Sequence, residues 1–451
     1  MVRDERLVLL AAILGSFVAF LDMSVVNVAL PAIRRSLGGG VSAQQWIVDA
    51  YLLSLSSLIL IAGSVSDLFG RKRVFTGGLI GFGVTSVLCA LAPGATSLIV
   101  ARGLQGVAGA MLVPSSLALI LSGFQGEAQG RAIGLWTAWT GISFLIGPLL
   151  GGALVDAGAT EGATSSWRWV FGINAAPIAA TLAVTWRLPP DRARQAGRRV
   201  DARGAALCAA GLGGLTFGLI EQPRLGWGAP AVWIPFAAGA ALGIAFLLWE
   251  RAAPEPMLDF ALFRNRNFAA GNLATLAIYA GLSAATFMLT LFLQQVARYS
   301  ALASGLALLP ATLLMFVLSP RFARLAARHG PRLFMSAGPV AAGVGLWLLS
   351  RLDARAAYWT DVLPGVLVFG LGLSATVAPL TAAVLGGIDE KQSGVASAVN
   401  NAVARVAGLL AVAAAGARSF SSALSASAVL LCVGAAISAL GVRNARVRRP
   451  L

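Results

Sequence analysis

Residues 7–28 read LVLLAAILGSFVAFLDMSVVNV, a run whose one charged residue is Asp22. At about 1.5 Å per residue, a helix of that length reaches about 33 Å, enough to cross ~30 Å of hydrocarbon. The run is too long for the apolar core of a signal peptide and leads into Pro31 rather than a small-residue cleavage site, so it reads as a first spanning helix. Blocks of similar length recur to the other end of the chain. We place them at 45–64, 74–92, 97–121, 132–155, 168–187, 204–221, 229–249, 268–293, 301–320, 332–350, 359–380, 394–415 and 422–442, which makes fourteen spans in all.

The composition agrees with a chain whose main solvent is lipid. Of the 451 residues, 58% are hydrophobic and 12% charged, against about 25% charged in a typical soluble domain. The 52 glycines fit helices that associate through close backbone approach. A net charge of +16 is the kind of number that brings nucleic acid to mind, yet the basic residues sit in the loops between apolar blocks rather than on an aromatic-studded face. Cys89, Cys208 and Cys432 lie inside apolar blocks with no partner at ligand or disulfide spacing, and His329 is the single histidine. No metal site, organic cofactor or disulfide framework is expected.

With the N-terminus taken as cytoplasmic, 24 Lys and Arg fall in inside segments and 8 in outside ones, so the positive-inside rule puts both termini in the cytoplasm. The densest inside cluster, Arg187 to Arg203 with Pro189 and Pro190, reads as a basic linker over 188–203. Residues 67–73 (DLFGRKR) and 324–332 (RLAARHGPR) are both basic hairpins containing a glycine, and aligning Gly70 with Gly330 makes span two equivalent to span ten. The expected architecture is an all-α polytopic membrane protein: a six-helix bundle at 1–187, the linker, an inserted helix pair at 204–249, a cytoplasmic linker at 250–267 and a second six-helix bundle at 268–451. The expected state is a multi-pass monomer in the cytoplasmic (inner) membrane of a bacterium.

Ionisable side chains within hydrocarbon are costly and mark function by default. Asp22 lies about 22 Å from the inner end of its span, while Asp49 and Arg102 sit near the outer ends of spans two and four, so all three share one depth. Two carboxylates and a guanidinium at one level form a candidate proton relay, because burial and a neighbouring cation act on a carboxylate in opposite directions. Asp22 is the leading carrier. A permanent Asp22–Arg102 pair, or Asp49 snorkelling to water, are the alternatives. Arg102, Gly106 and Gly109 share a helix face, which allows a close approach to a neighbouring helix or simple tight packing.

Gly147 and Gly151 line one face of span five, and Pro148 allows a bend there. Asp67 and Arg71 stand four apart around Gly70, as a charge latch or a fixed hairpin. Arg405 lies about 17 Å into span thirteen, one turn after Asn401, positioned to meet that amide or a substrate. Trp136 and Trp139 of span five and Tyr279 and Phe287 of span nine are candidates for a greasy cavity, packing being the plainer reading. Glu221 reads as an interfacial structural group. Trp167, Trp169 and Phe171 open span six, where aromatic rings favour the headgroup level.

At these residues the chain resembles the 14-helix drug:proton antiporters of the major facilitator superfamily. Leu21 to Pro31 (LDMSVVNVALP) is similar to that family's first-helix signature, Gly63 to Arg73 to the superfamily's loop motif, and Arg102 to Ala110 to its helix-four motif. Gly134 to Gly152 resembles the antiporter motif of helix five, and Trp167 to Asn174 the start of helix six. Leu68 and Ser143 depart from the pattern, which usually has arginine and glycine there, and Pro177 stands one residue later than expected. The resemblance implies alternating access between two bundles, with export of hydrophobic or cationic drugs in exchange for protons. It implies proton coupling at Asp22 and Arg102 and a conformational switch at Asp67, Gly70 and Arg71. A same-fold carrier for a metabolite or siderophore is the nearest rival. A membrane enzyme or sensor would need a reactive cluster, and His329 among arginines does not supply one.

Overall fold

In the computed structural model, residues 3–160, 166–188, 200–254, 256–386, 388 and 392–444 are described. Fourteen helices among them are long and apolar enough to cross a membrane. The first group is α1 (Arg3–Leu37), α2 (Val41–Phe69), α3 (Arg71–Ala90), α4 (Ala95–Gly123) and α5 (Gly126–Thr160). The sixth span, Ser166–Trp186, is broken into a 3₁₀ turn, α6 (Trp169–Gly172) and α7 (Ala175–Trp186). The inserted pair is α8 (Ala202–Leu225) and α9 (Pro230–Ala252). The remaining spans are α10 (Arg266–Gln295), α11 (Ala301–His329), α12 (Pro331–Leu349), α13 (Leu363–Leu385, preceded by a π turn), α14 (Ser393–Ala415) and α15 (Phe420–Gly441). Helices such as α1, α5 and α11 run past the apolar blocks, because helical geometry continues into the polar ends where side chains reach water.

The chain divides into two compact units, one made of Met1–Met257 with Tyr299–Gly305 and the other of Leu258–Arg298 with Leu306–Leu451. Within the first, α1 packs on α4, α5 and α7, and α2 lies between α4 and α8. Within the second, α10 packs on α13, α14 and α15, and α12 on α13 and α15. The α1–α5 seam of one unit and the α10–α14 seam of the other hold the same places in the expected six-plus-six order. The basic linker at 188–203 lies mostly outside the described residues.

The aligned hairpin glycines have the same backbone. Gly70 has φ 101° and ψ 134° and Gly330 φ 89° and ψ 149°, and each is followed at once by a new helix. A side chain is strained at positive φ, so glycine is what permits helix–glycine–helix reversals without a loop. In the second unit Asn444 closes the hairpin, accepting from the Arg332 N–H at 3.2 Å.

The inserted pair belongs to the first unit. Within it, a side chain at Gly239 would stand 2.6 Å from the Leu215 nitrogen, so α8 and α9 approach through bare backbone. The pair is pinned to α2 at Glu221, whose Oε1 accepts from Ser42 Oγ at 3.0 Å and Trp46 Nε1 at 3.1 Å. Arg224 holds the other carboxylate oxygen at 2.9 Å. The structural expectation for Glu221 takes this concrete form. Of the aromatics opening span six, Trp169 is 68% exposed, whereas Trp167 and Phe171 are fully buried. The headgroup expectation therefore fails for those two rings: in the 3₁₀ and α6 turns they point inward, edge to face at 6.2 Å.

Candidate functional site

The break in the sixth span positions the site. Pro177 has no N–H to offer the Ile173 carbonyl, so regular helix stops at Ile173–Asn174, and the Asn174 side chain turns inward, fully buried. On α4, a Cβ at Gly106 would collide with the Tyr51 carbonyl oxygen, so only glycine lets α4 lie this close to α2. Arg102, one turn before Gly106, is thereby carried into the bundle with 1% of its surface exposed.

Asp22 of α1 is fully buried and accepts three donors. Arg102 Nη1 stands 2.5 Å from Oδ2, while Gln105 Nε2 at 3.1 Å and Asn174 Nδ2 at 2.8 Å both reach Oδ1. Ser86 Oγ of α3 accepts from the same two amides at 2.9 and 3.2 Å. One network therefore joins α1, α3, α4 and the break in the sixth span around this carboxylate.

Arg102 has other anchors. Its Nη1 also donates to Gln105 Oε1 at 2.6 Å and its Nε to the Ile47 carbonyl at 3.1 Å. The guanidinium carbon lies 4.3 Å from the centre of the Tyr51 ring, a cation–π contact. If Asp22 takes up a proton, the ion pair loses its Coulomb attraction, yet Arg102 keeps these supports and both amides can still donate to the neutral acid. The arrangement suits a switch between two protonation states.

Two of the three charges expected at one depth are thus brought together. Asp49 is not: it is fully buried, and neither carboxylate oxygen has a hydrogen-bond partner. It lies two residues beyond Ile47, about 200° further round α2, so sharing a depth did not give it a shared azimuth. Gln105, Ser86 and Asn174 are the network members that carry no charge. Their signal was a buried amide on the Arg102 helix turn and an Asn beside a helix-breaking proline.

Around the other candidates, α5 packs on α1 just above Asp22. A side chain at Gly147 would strike Ser24 Oγ, and one at Gly151 would stand 3.0 Å from the Val25 carbonyl. Ser24 Oγ donates to the Ser143 carbonyl at 3.1 Å. Ser143, the departure from the glycine pattern, is accommodated with its Oγ 3.4 Å from the Phe17 carbonyl. Pro148 lies inside α5. Arg71 Nη1 donates to the Ala118 carbonyl at 3.3 Å; the Asp67 side chain lies outside what is described, so the latch is untested. Trp136 Nε1 donates to Ser16 Oγ at 2.9 Å, and Trp139 is 47% exposed. Phe287 is buried in packing. Asn401 is exposed and donates back to the Ser397 carbonyl at 3.0 Å.

A family model described as the Major Facilitator Superfamily matches residues 12–412. The chain belongs to the Major Facilitator Superfamily. It is 33% identical over 402 residues to the multidrug resistance protein Stp of Mycobacterium tuberculosis (strain CDC 1551 / Oshkosh), covering 89% of this chain and 73% of that one. It is 36% identical over 411 residues to the puromycin resistance protein pur8 of Streptomyces alboniger, covering 90% and 80%. Among solved structures, a crystal structure of a D-xylose–proton symporter superposes with a TM-score of 0.70 at 13% identity, covering 98% of both chains. This superfamily member is a multi-pass membrane protein built from the transporter fold.

Proposed function

We propose that this superfamily member is a proton-coupled exporter of small hydrophobic compounds in the cytoplasmic membrane, working by alternating access, with both termini inside. The observation that carries the reading is the Asp22 cage: a carboxylate sealed from solvent, held by a guanidinium that has alternative anchors in the Ile47 carbonyl, Gln105 and the Tyr51 ring. A buried pair kept only for adhesion is a poor bargain, since apolar replacements of such pairs are often neutral or stabilising. The outward direction rests on the relatives, whose names are those of drug and antibiotic resistance proteins. Asp49, sealed in the same unit, is a second place where a proton can reside. Gly147, Pro148 and Gly151 on α5, with Asp67, Gly70 and Arg71 at the α2–α3 reversal, are assigned to the conformational change.

The test is expression in a host stripped of its own efflux pumps, with resistance and intracellular accumulation measured over a panel of drugs and dyes. The wild-type chain should lower accumulation of at least one compound, and a protonophore should abolish the effect. No change for any compound would shift the reading to a narrow metabolite carrier of the same fold.

A further inference from the structure

The inserted pair meets the rest of the first unit along a seam between α2 and α8, and polar groups are left unmatched there. Asp49 of α2 and Thr216 of α8 are both fully buried, and neither the Asp49 carboxylate oxygens nor Thr216 Oγ1 have a hydrogen-bond partner among the described residues. Ser56 Oγ, buried seven residues further along α2, is unmatched as well. Buried polar groups are matched as a rule, so three on one seam call for a reason.

Register puts Asp49 and Thr216 side by side. The outer ends of α2 and α8 are tied by Ser42 and Trp46 to Glu221. Further in, the Trp46 ring lies 6.0 Å from that of Phe217, and deeper still Leu53 Cδ2 lies 3.7 Å from where a Cβ at Gly213 would stand. Ser42, Trp46, Asp49, Leu53 and Ser56 follow one another at spacings of three and four residues, which places them on one face of α2. Asp49 therefore stands between the Trp46 and Leu53 contacts, level with the Gly213–Phe217 stretch of α8 that holds Thr216. On α8, Gly211, Gly214 and Gly218 take the side that meets α9. Thr216, two residues on from Gly214, is turned about 200° away from that side, toward α2.

The ionisable groups that the helices packed on α2 bring into the bundle have other partners. Glu221 pairs with Arg224 at the outer end of α8, Arg102 of α4 pairs with Asp22 of α1, and Cys89 Sγ of α3 lies 3.6 Å from Gln105 Oε1. Cys208 of α8 lies about 12 Å inward of Thr216 along the helix. A threonine hydroxyl can accept from a carboxylic acid O–H or donate to a carboxylate, so it serves an acid in both protonation states from one place. On the exporter reading, on which the use of this proton in transport rests, we propose that the inserted pair completes a second proton site. Asp49 holds the proton, Thr216 is its positioning residue, and the Glu221 clamp keeps the two helices in register. The proton binds a carboxylate oxygen and leaves from it, with no other bond made or broken.

The test is infrared difference spectroscopy on the full chain in lipid films, stepping the pH of the buffer with no substrate present. A protonated carboxyl group has a C=O stretch well separated from the stretches of a carboxylate. Wild type should show such a band, sensitive to deuterium exchange, that is missing from Asp49→Asn. Thr216→Val, which keeps the side-chain shape and removes the hydroxyl, should shift the band to higher frequency, and Thr216→Ser should return it to its wild-type place. A threonine present only for packing would leave the band where it was in both. Should Asp49→Asn fail to fold, Asp49→Glu should displace the band instead of removing it. A wild type without such a band at any pH, or a band unaltered by either Asp49 substitution, overturns the site. An Asp49 band at the same frequency in Thr216→Val overturns the role of the inserted pair. With no substrate involved, either failure leaves export standing, whereas a silent drug panel removes export and leaves the band.

Discussion

In the first unit, the region where α1, α3, α4 and the broken sixth span meet buries Asp22 against Arg102. In the second, the α10–α14 seam sets a half-buried Asn400 against the buried Asn272 and Thr275, all three neutral. Both sets of helices are held in register by polar side chains, an ion pair with amides in the first and these neutral amides and a hydroxyl in the second. Interhelical hydrogen bonds of the neutral kind contribute about 0.6 to 2 kcal/mol each in membranes, so adhesion alone gives no reason to meet the desolvation cost of a carboxylate and a guanidinium. On the exporter reading proposed above, the coupling proton belongs to the first unit.

The comparison breaks most visibly at Arg102. Arg102→Ala leaves Asp22 buried without its cation and should destabilise the protein by about 3–5 kcal/mol, seen as a large drop in thermal melting in detergent. Asp22→Asn combined with Arg102→Ala should recover part of that loss, because the uncompensated charge is gone. If the double variant melts no higher than Arg102→Ala, the pair is not the source of the penalty.

A smaller effect, equal in the two units, is expected where backbone meets backbone. A side chain at Gly106 would hit the Tyr51 carbonyl on α2, and one at Gly370, in the corresponding α11–α13 seam, would stand 2.5 Å from the Ala311 Cα. Gly106→Ala and Gly370→Ala should each cost about 1–3 kcal/mol as overpacking. A glycine seam that mattered in one unit only would show the repeat to be less regular than its contacts indicate.

Asn400→Ala should cost about 0.6–2 kcal/mol in stability and leave the number of protons moved per substrate unchanged. A fall in that number would place coupling in the second unit as well. Smallest of all, Glu221→Gln keeps an acceptor for Ser42 and Trp46 and loses a half-exposed ion pair to Arg224, worth below about 1 kcal/mol. Melting should barely move, and a cysteine cross-link between α2 and α8 should form as in wild type.

The fold was readable because hydrocarbon imposes one rule on every span. A run near twenty apolar residues is visible without knowing its neighbours, and Gly70 and Gly330 announce their reversals by residue type. The site was readable only in part. Depth follows from counting along a helix, so Asp22 and Arg102 came out level, but azimuth depends on which helix packs where. That is why Asp49, at the right height, lies outside the network, and why the neutral members Gln105, Ser86 and Asn174 are not evident from charge alone. Trp167 departs from its expected place for a related reason. Its place at the start of a span suggested the headgroup level, while a 3₁₀ turn rotates the ring into the protein.

The direct measurement is of protons themselves. Purified wild type and Asp22→Asn are placed in vesicles enclosing a pH-sensitive dye, and substrate is added with no pH gradient imposed, with substrate binding checked in parallel by tryptophan fluorescence. Wild type should change the internal pH on substrate addition, and Asp22→Asn should bind the compound yet leave the pH as in protein-free vesicles. A pH change in Asp22→Asn equal to that of wild type would show that the coupled proton travels by another residue.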